Sequence, residues 1–346
     1  MPKKTTQREL VESYCKQYPH YATLTLAKLI YKENSNLFKD VEHVRSSFIN
    51  VIRGAKGAEK RKYATSKNPH ANDHNNWKPF KEEINTTARI LILDIETAPL
   101  QAYVWGIWQQ NVSLEAIQSD WFIISWAAKW LFEDKVYSGV LTPKEVVKQD
   151  DKGIIKGIWE LLNKADCVIA HNGQKFDIPK LNSRFLLHKL NPPLPYQQID
   201  TLVHIRRQFG FSSNKLDYVN KLLNLPRKVE HEGMELWCKC MKGDKAALDK
   251  MIEYNIGDVR ILEDTYLRIR AWIKPHPNLG LHILDEHQHC CPTCGSAEMK
   301  EQGKDYHTTA NTYELLRCDN CGATSRKRLA KTTIKQKRHL LISSPK

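Results

Sequence analysis

Asp94 and Glu96 stand two residues apart in the run Leu93-Asp94-Ile95-Glu96-Thr97. Side chains of a β-strand alternate between faces, so both carboxylates point the same way. Two such charges about 4 Å apart repel by roughly 4 kcal/mol at an effective dielectric of about 20. A proton on one, or a cation between them, removes that cost. Ligands that are all oxygen favour a hard ion such as Mg²⁺ or Mn²⁺. A third acid, Asp177, ends the segment Ala170-His171-Asn172-Gly173-Gln174-Lys175-Phe176-Asp177. It stands near the start of a helix, where negative charge is favoured. A fourth, Asp258, closes Tyr254-Asn255-Ile256-Gly257-Asp258 on a later helix, where positions i and i+4 share a face. Each element also has a plainer reading: a solvated strand end, a helix N-terminal charge, a surface Tyr–Asp hydrogen bond. His171 reads as a strand-end histidine with a hydrogen bond. Asn172 either fixes the turn or helps place a substrate.

A second chemistry is written in cysteine. Cys291 and Cys294, then Cys318 and Cys321, form two Cys-x2-Cys-Gly knuckles with 23 residues between them. Four thiolates close one tetrahedral Zn²⁺ site. The glycine after each pair lets the backbone turn so that amides can face the sulfurs. This segment has few apolar residues, so a metal would have to supply its folding free energy. Five of the nine cysteines lie between 290 and 321, and in a reducing compartment such a cluster reads as metal rather than disulfide. Cys290 reads as a bystander, and Cys15, Cys167, Cys238 and Cys240 as buried thiols.

These groups need a scaffold. Residues 89–95 are a near-continuous apolar run, the mark of a strand buried on both faces. Residues 123–130 and 136–141 read as two more strands, with Glu133 and Asp134 in the turn between them. Residues 153–163 read as an amphipathic helix, 167–170 as a short buried strand, and 179–190 and 216–223 as helices. A long helix runs over 248–273 and stops before Pro275. Strands first, then strands alternating with helices, predict a mixed sheet covered by helices in an α/β architecture.

The flanks differ from this middle in charge. Residues 1–80 carry 15 Lys and Arg against 7 Asp and Glu, and residues 290–346 carry 11 against 5, while residues 81–289 balance. A neutral core between basic flanks points to polyanion-binding modules around a catalytic or structural unit. Residues 7–57 show three apolar stripes at helical spacing, the third capped by Asp40, stopped at Gly54 and carrying Arg45 and Arg53. Three short helices with a basic last one suit a helix-turn-helix-like module. The domain reading is a helical module over 1–62, a linker over 63–84, the α/β domain over 85–275, a linker over 276–288, a zinc-binding segment over 289–328 and a basic tail over 329–346. The longest apolar stretch, 121–128, is far short of the ~20 residues that span a membrane. The N-terminus lacks the apolar region of a signal peptide, so the expected compartment is the cytoplasm, or the nucleus in a host that has one.

Asp-x-Glu on a strand, then Asn-x3-Phe-Asp, then Tyr-x3-Asp on a late helix, in this order over 165 residues, resemble the DEDD superfamily of 3′–5′ exonucleases. By pattern the nearest are its tyrosine-type members, such as the proofreading exonuclease domains of family B DNA polymerases. Histidine-type members place a histidine five residues before the last aspartate; here Glu253 stands there, and Tyr254 stands four before. The resemblance covers 89–272 and implies an RNase H-like (DnaQ-like) fold with a five-stranded mixed sheet. It implies two Mg²⁺ or Mn²⁺ ions, with Asp94 bridging both. Glu96 and Asp258 would complete the site of the ion that holds the attacking water, Asp177 would hold the second ion, and Tyr254 would orient the water. The cysteine segment resembles a zinc ribbon holding one structural Zn²⁺. The expected activity is hydrolysis of DNA, single-stranded at its 3′ ends, to 5′-mononucleotides. Arg45, Arg53, Thr97 and Asn172 are the candidate nucleic-acid contacts, and a separate replication or repair protein is a candidate partner. The rival readings are an exoribonuclease, a structure-specific endonuclease, and a nucleic-acid-binding regulator that uses the nuclease fold as a scaffold.

Overall fold

The computed structural model describes residues 6–17, 23–52, 88–227, 232–283 and 289–344. The chain divides into a small N-terminal unit and a larger one.

The N-terminal unit has the three helical segments expected from its apolar stripes. They are α1 (Gln7–Gln17), α2 (Thr23–Glu33) and a third made of α3 (Val41–Val44), a π-helical turn over Arg45–Ile49, and α4 (Asn50–Ile52). Val11, Leu26, Ile30, Phe38, Val44 and Ile49 are buried among them. Asp40 caps α3, accepting from the His43 amide at 2.7 Å. The Ser46 hydroxyl takes the Glu42 carbonyl at 2.7 Å, competing with the i+4 amide where the helix widens. Arg45 is engaged within its own helix, its Nε 2.9 Å from Glu42. Arg53, Gly54 and the expected linker over 63–84 lie outside the described residues.

The larger unit runs β1 (Ile90–Thr97), β2 (Gln101–Ala102), β3 (Ile117–Ser119), β4 (Ile123–Trp130), β5 (Val136–Val140), α5 (Pro143–Lys148), α6 (Lys152–Leu162) and β6 (Cys167–Ala170). It continues with α7 (Asp177–Leu187), β7 (Gln197–Asp200), α8 (Thr201–Gln208), α9 (Leu216–Leu222), α10 (Met234–Met241) and α11 (Lys245–Ile269). Five strands make a mixed sheet of order β5-β4-β1-β6-β7. The left side, β5-β4-β1, is antiparallel, and the right side, β1-β6-β7, is parallel. The apolar run of β1 explains its central place, because both its faces are covered. Leu91, Leu93 and Ile95 pack with Ile158 of α6 and Leu181 and Phe185 of α7. Ile90 and Ile92 pack with Ile205 of α8, Val219 of α9 and Val259, Leu262 and Tyr266 of α11. β7 carries no apolar run. Only Ile199 and Asp200 of its four residues are buried, which is why its sequence does not read as a strand.

Two buried ionic groups tie the layers together. Asp151 accepts from the Ile123 amide at 2.9 Å, and from Arg184 of α7 and His188 just after that helix at 2.6 Å each. Lys129 of β4 pairs with Glu263 of α11, which also accepts from the Phe132 amide at 2.8 Å.

The rest of the unit is β8 (Met299–His307), β9 (Thr312–Cys318) and β10 (Thr324–Arg326), a three-stranded antiparallel sheet, followed by the short α12 (Ile334–Lys337). Residues 276–283, expected as linker, are packed instead. Leu279 is 3% exposed in the core beneath α11, and its amide donates to the Pro292 carbonyl at 2.8 Å. Ala271, just past α11, packs on the cysteine cluster. Of the four cysteines expected as buried thiols, Cys167 and Cys240 are buried, Cys15 is half-buried and Cys238 is exposed on α10. No helix among the described residues is long and apolar enough to cross a membrane.

Candidate active site and a four-cysteine centre

The even positions of β1 face α11. Ile90 and Ile92 fill the apolar interface, and the same face then ends in Asp94 and Glu96 at the carboxyl end of the strand. On α11 the stripe that carries Tyr266 and Leu262 inward carries Asp258 one turn earlier. Strand period and helix period therefore converge, and oxygens of Asp94, Glu96 and Asp258 lie within 4.8 Å of one another. Asp258 is buried, while Asp94 and Glu96 are half-buried at the rim. Ladder register shifts between Glu96 and Thr97, a bulge that ends regular pairing beside the acids. Three clustered carboxylates with no nitrogen or sulfur among them form a hard donor set, and it fits a divalent cation such as Mg²⁺ or Mn²⁺.

Asp177 is outside this group of three. It is the first residue of α7 and is buried, with Oδ1 accepting from the Ile95 amide at 3.1 Å. Burial pushes its carboxyl up to about 7; the Ile95 amide works against this and Asp200 adds to it. The turn that delivers Asp177 is held by Asp200, at the end of β7. Asp200 accepts from the amides of Asn172 at 2.9 Å and Gln174 at 3.1 Å, and caps α8 through Leu202 at 3.0 Å. Asn172 sits at φ 71°, a left-handed conformation that asparagine tolerates, and so fixes the turn. A Cβ on Gly173 would come 2.4 Å from the Ala170 Cβ, so this position accepts only glycine. His171 bonds Thr201 Oγ1 at 2.9 Å and the Asn214 carbonyl at 3.1 Å, as expected of a strand-end histidine.

Tyr254 is buried on α11, one turn before Asp258, with its ring edge-on to Trp237 at 6.4 Å. Its neighbour Asn255 had no role in the sequence reading, although it stands on the same inward stripe. It is fully buried and donates to Asp94. Asp151, Asp200 and Ser125 were missed as organising residues too. The available signal was a polar residue at core spacing, which sequence alone does not separate from a surface one.

Two features follow the acids along their own elements. Thr97 closes β1, and the loop beyond it, between β2 and β3, exposes Tyr103, Trp105, Ile107 and Trp108. No charged residue occurs over 97–114. On α7, one turn after Asp177, the Lys180 ammonium lies 3.6 Å over the Trp121 ring and 5.2 Å from that of Phe176.

The four cysteines of the second centre are buried, with Sγ–Sγ distances of 3.6 Å for Cys291–Cys321 and for Cys294–Cys318. A tetrahedron with Zn–S bonds of ~2.3 Å has edges of about 3.8 Å. A disulfide would need about 2.05 Å. The two knuckles are built alike. The Gly295 and Gly322 amides donate to the Cys291 and Cys318 carbonyls at 2.7 and 2.9 Å, with φ of 77° and 78°. Positive φ at both explains the glycine after each pair. This centre is compatible with a zinc ribbon, and Cys290 stands outside it.

The five-stranded sheet and its helices thus have an RNase H-like fold, with acids at the central strand. Residues 131–269 match a family described as the RNase_H superfamily. The structure of the family B DNA polymerase from the hyperthermophilic archaeon Pyrobaculum calidifontis is similar over 55% of this chain and 26% of that chain, with 15% identity and a TM-score of 0.39. The similarity thus spans about a quarter of that polymerase. No curated protein matches the chain in sequence.

Proposed function

We propose that this chain is a metal-dependent 3′–5′ exonuclease that hydrolyses single-stranded DNA to 5′-mononucleotides. The observation that carries the reading is the convergence of Asp94, Glu96 and Asp258 at the end of the central strand of an RNase H-like fold. Asp94, Glu96 and Asp258 would hold one divalent ion, and Asp94 with Asp177 a second. When bound, paired ions stabilise the entering and leaving oxygens of an in-line displacement. Tyr254 would orient the attacking water. Lys180, one turn after Asp177, and Thr97, next to Glu96, would meet the phosphate backbone, and Asn172 belongs to the turn that leads to Asp177. The exposed rings of Tyr103, Trp105 and Trp108 are faces on which unpaired bases stack, which supports a single-stranded substrate. Cys291, Cys294, Cys318 and Cys321 would bind one structural Zn²⁺. The helical module, with Arg45 and Arg53, would add affinity for longer nucleic acid.

The test is a product ladder. Purified protein is incubated with end-labelled single-stranded DNA, duplex DNA and RNA, in Mg²⁺, Mn²⁺ or EDTA. Mononucleotides released from the 3′ end of single-stranded DNA, and no cleavage in EDTA, are expected. Shortening from the 5′ end, or cleavage in excess EDTA, would falsify the reading. A ladder on RNA alone would reassign the substrate to the exoribonuclease alternative.

A further inference from the structure

Asn255 is fully buried in the middle of α11, among the buried apolar residues Met251, Val259 and Leu262 of the same helix. A buried amide costs free energy unless both its ends are bonded. Its nitrogen lies 2.5 Å from Asp94 Oδ2, and its oxygen 3.1 Å from Ser125 Oγ on β4. Chemistry fixes the direction of this chain of bonds. An ionised carboxylate only accepts, so Asn255 must turn its N–H toward Asp94. The amide oxygen then faces Ser125, whose hydroxyl must donate. Ser125 is also the residue opposite Glu96 in the β1–β4 ladder. The strand pairing that sets Glu96 therefore also sets the donor that orients the amide on Asp94.

We infer that Asn255, oriented by Ser125, is a positioning residue that holds the Asp94 carboxylate in place for cation binding with Glu96 and Asp258. The inference rests on the reading of these three acids as a cation site. A neutral amide suits the task. It restrains one carboxylate oxygen without cancelling the charge, as a lysine there would. Without the amide the carboxylate loses this restraint, and an ion loses part of a preorganised ligand.

The experiment measures Mn²⁺ binding to the zinc-loaded full-length chain without substrate, by the paramagnetic resonance of free Mn²⁺. Wild type, Asn255→Leu, Ser125→Ala and the double variant are compared, with Asp94→Ala to mark the carboxylate site. Asn255→Leu should weaken Mn²⁺ binding about 10- to 100-fold, the usual loss when a ligand's hydrogen-bond partner is removed. Ser125→Ala should weaken it less, and the double variant should be no worse than Asn255→Leu, because both act through one amide. Asn220→Ala is the control. Asn220 is equally buried, bonded to Thr265 and the Pro226 carbonyl beneath α11, and its loss should lower stability but not Mn²⁺ affinity. Unchanged affinity in folded Asn255→Leu, or an equal loss in Asn220→Ala, overturns the inference. Should Asn255→Leu not fold, Ser125→Ala decides, and unchanged affinity there overturns it too. Wild type that binds Mn²⁺ at the acids yet cuts no nucleic acid defeats the nuclease reading and leaves this inference standing.

Discussion

The Asp177 carboxylate accepts a hydrogen bond from the amide of Ile95, the residue between Asp94 and Glu96. One contact thus joins the start of α7 to the acidic end of β1, so Asp177 lies beside the other acids although it is outside their group. In Asp177→Asn an amide oxygen can still accept from Ile95, and a carboxyl that burial already opposes is removed. Stability should change by less than about 1 kcal/mol, an ordinary net hydrogen-bond value. Hydrolysis should fall by about a hundredfold or more, the upper range for disturbing a metal site. Thermal melts and turnover on one preparation check this. Parallel collapse of both would make Asp177 structural.

Asp94→Ala removes the acid proposed to contact both ions, whereas Tyr254→Phe removes one hydroxyl and keeps the ring against Trp237. The first should abolish turnover in a folded protein. The second should lower the rate constant by about 10²- to 10⁴-fold, as for a positioned acid–base or orienting group, with Mn²⁺ affinity little changed. Single-turnover assays on end-labelled oligonucleotide rank the two. Near-normal activity in Asp94→Ala, in a preparation free of contaminating nuclease, would mean the site has been assigned to the wrong residues.

Purified protein should hold about one zinc per chain, the complement of one four-thiolate site. Cys318→Ser with Cys321→Ser should lose it. Because Ala271 packs on the cysteines and the Leu279 amide bonds Pro292, stripping the metal should also expose the chain just beyond α11 to protease. Elemental analysis with timed proteolysis reads both outcomes. Folded native protein without zinc defeats the assignment.

His276 makes folding sensitive to acid. Its Nδ1 is 2.7 Å from the Pro277 carbonyl, which only accepts, so Nδ1 carries the proton and Nε2 accepts from the Tyr266 hydroxyl at 2.9 Å. Burial, helped by Arg270 and His204, brings its pKa down from 6.5 to about 4. The unfolded chain therefore binds more protons between these values. The contribution is present above pH 6.5 and is lost as pH falls toward 4, by about 3 kcal/mol at most. Urea unfolding at pH 7 and pH 5 should show a smaller drop in His276→Gln than in wild type. An identical drop refutes the assignment.

The exposed rings beyond β1 predict a binding effect separable from chemistry. Trp105→Ala and Trp108→Ala should each weaken binding of a single-stranded oligonucleotide in EDTA by roughly 1–3 kcal/mol, the value of one stacked base. Cleavage of a dinucleotide should change little. Fluorescence titration reads the binding, and unchanged affinity in both variants would point to another role for these rings.

Much of this was legible from local rules. The apolar run of 89–95 sets a strand covered on both faces, and period 2 along it puts Asp94 and Glu96 on one side. Period 3.6 puts Tyr254, Asp258 and Leu262 on one stripe of α11. The paired Cys-x2-Cys-Gly spacing defines the four-sulfur centre, down to the positive φ of each glycine. Such patterns depend on backbone geometry within a few residues. The tertiary structure alone decided which stripe meets which face, because that depends on how layers some 160 residues apart pack. Only the packed fold joins Asn255 to Asp94 and Ser125, ties Asp177 to β1 through the Ile95 amide, and gathers Asn172, Gln174 and Leu202 around Asp200. It also buries Leu279 where the chain reads as linker, because prolines and histidines interrupt the few apolar residues around it. A polar residue at a core position has the same local pattern whether it faces water or a partner, and only burial tells the two apart.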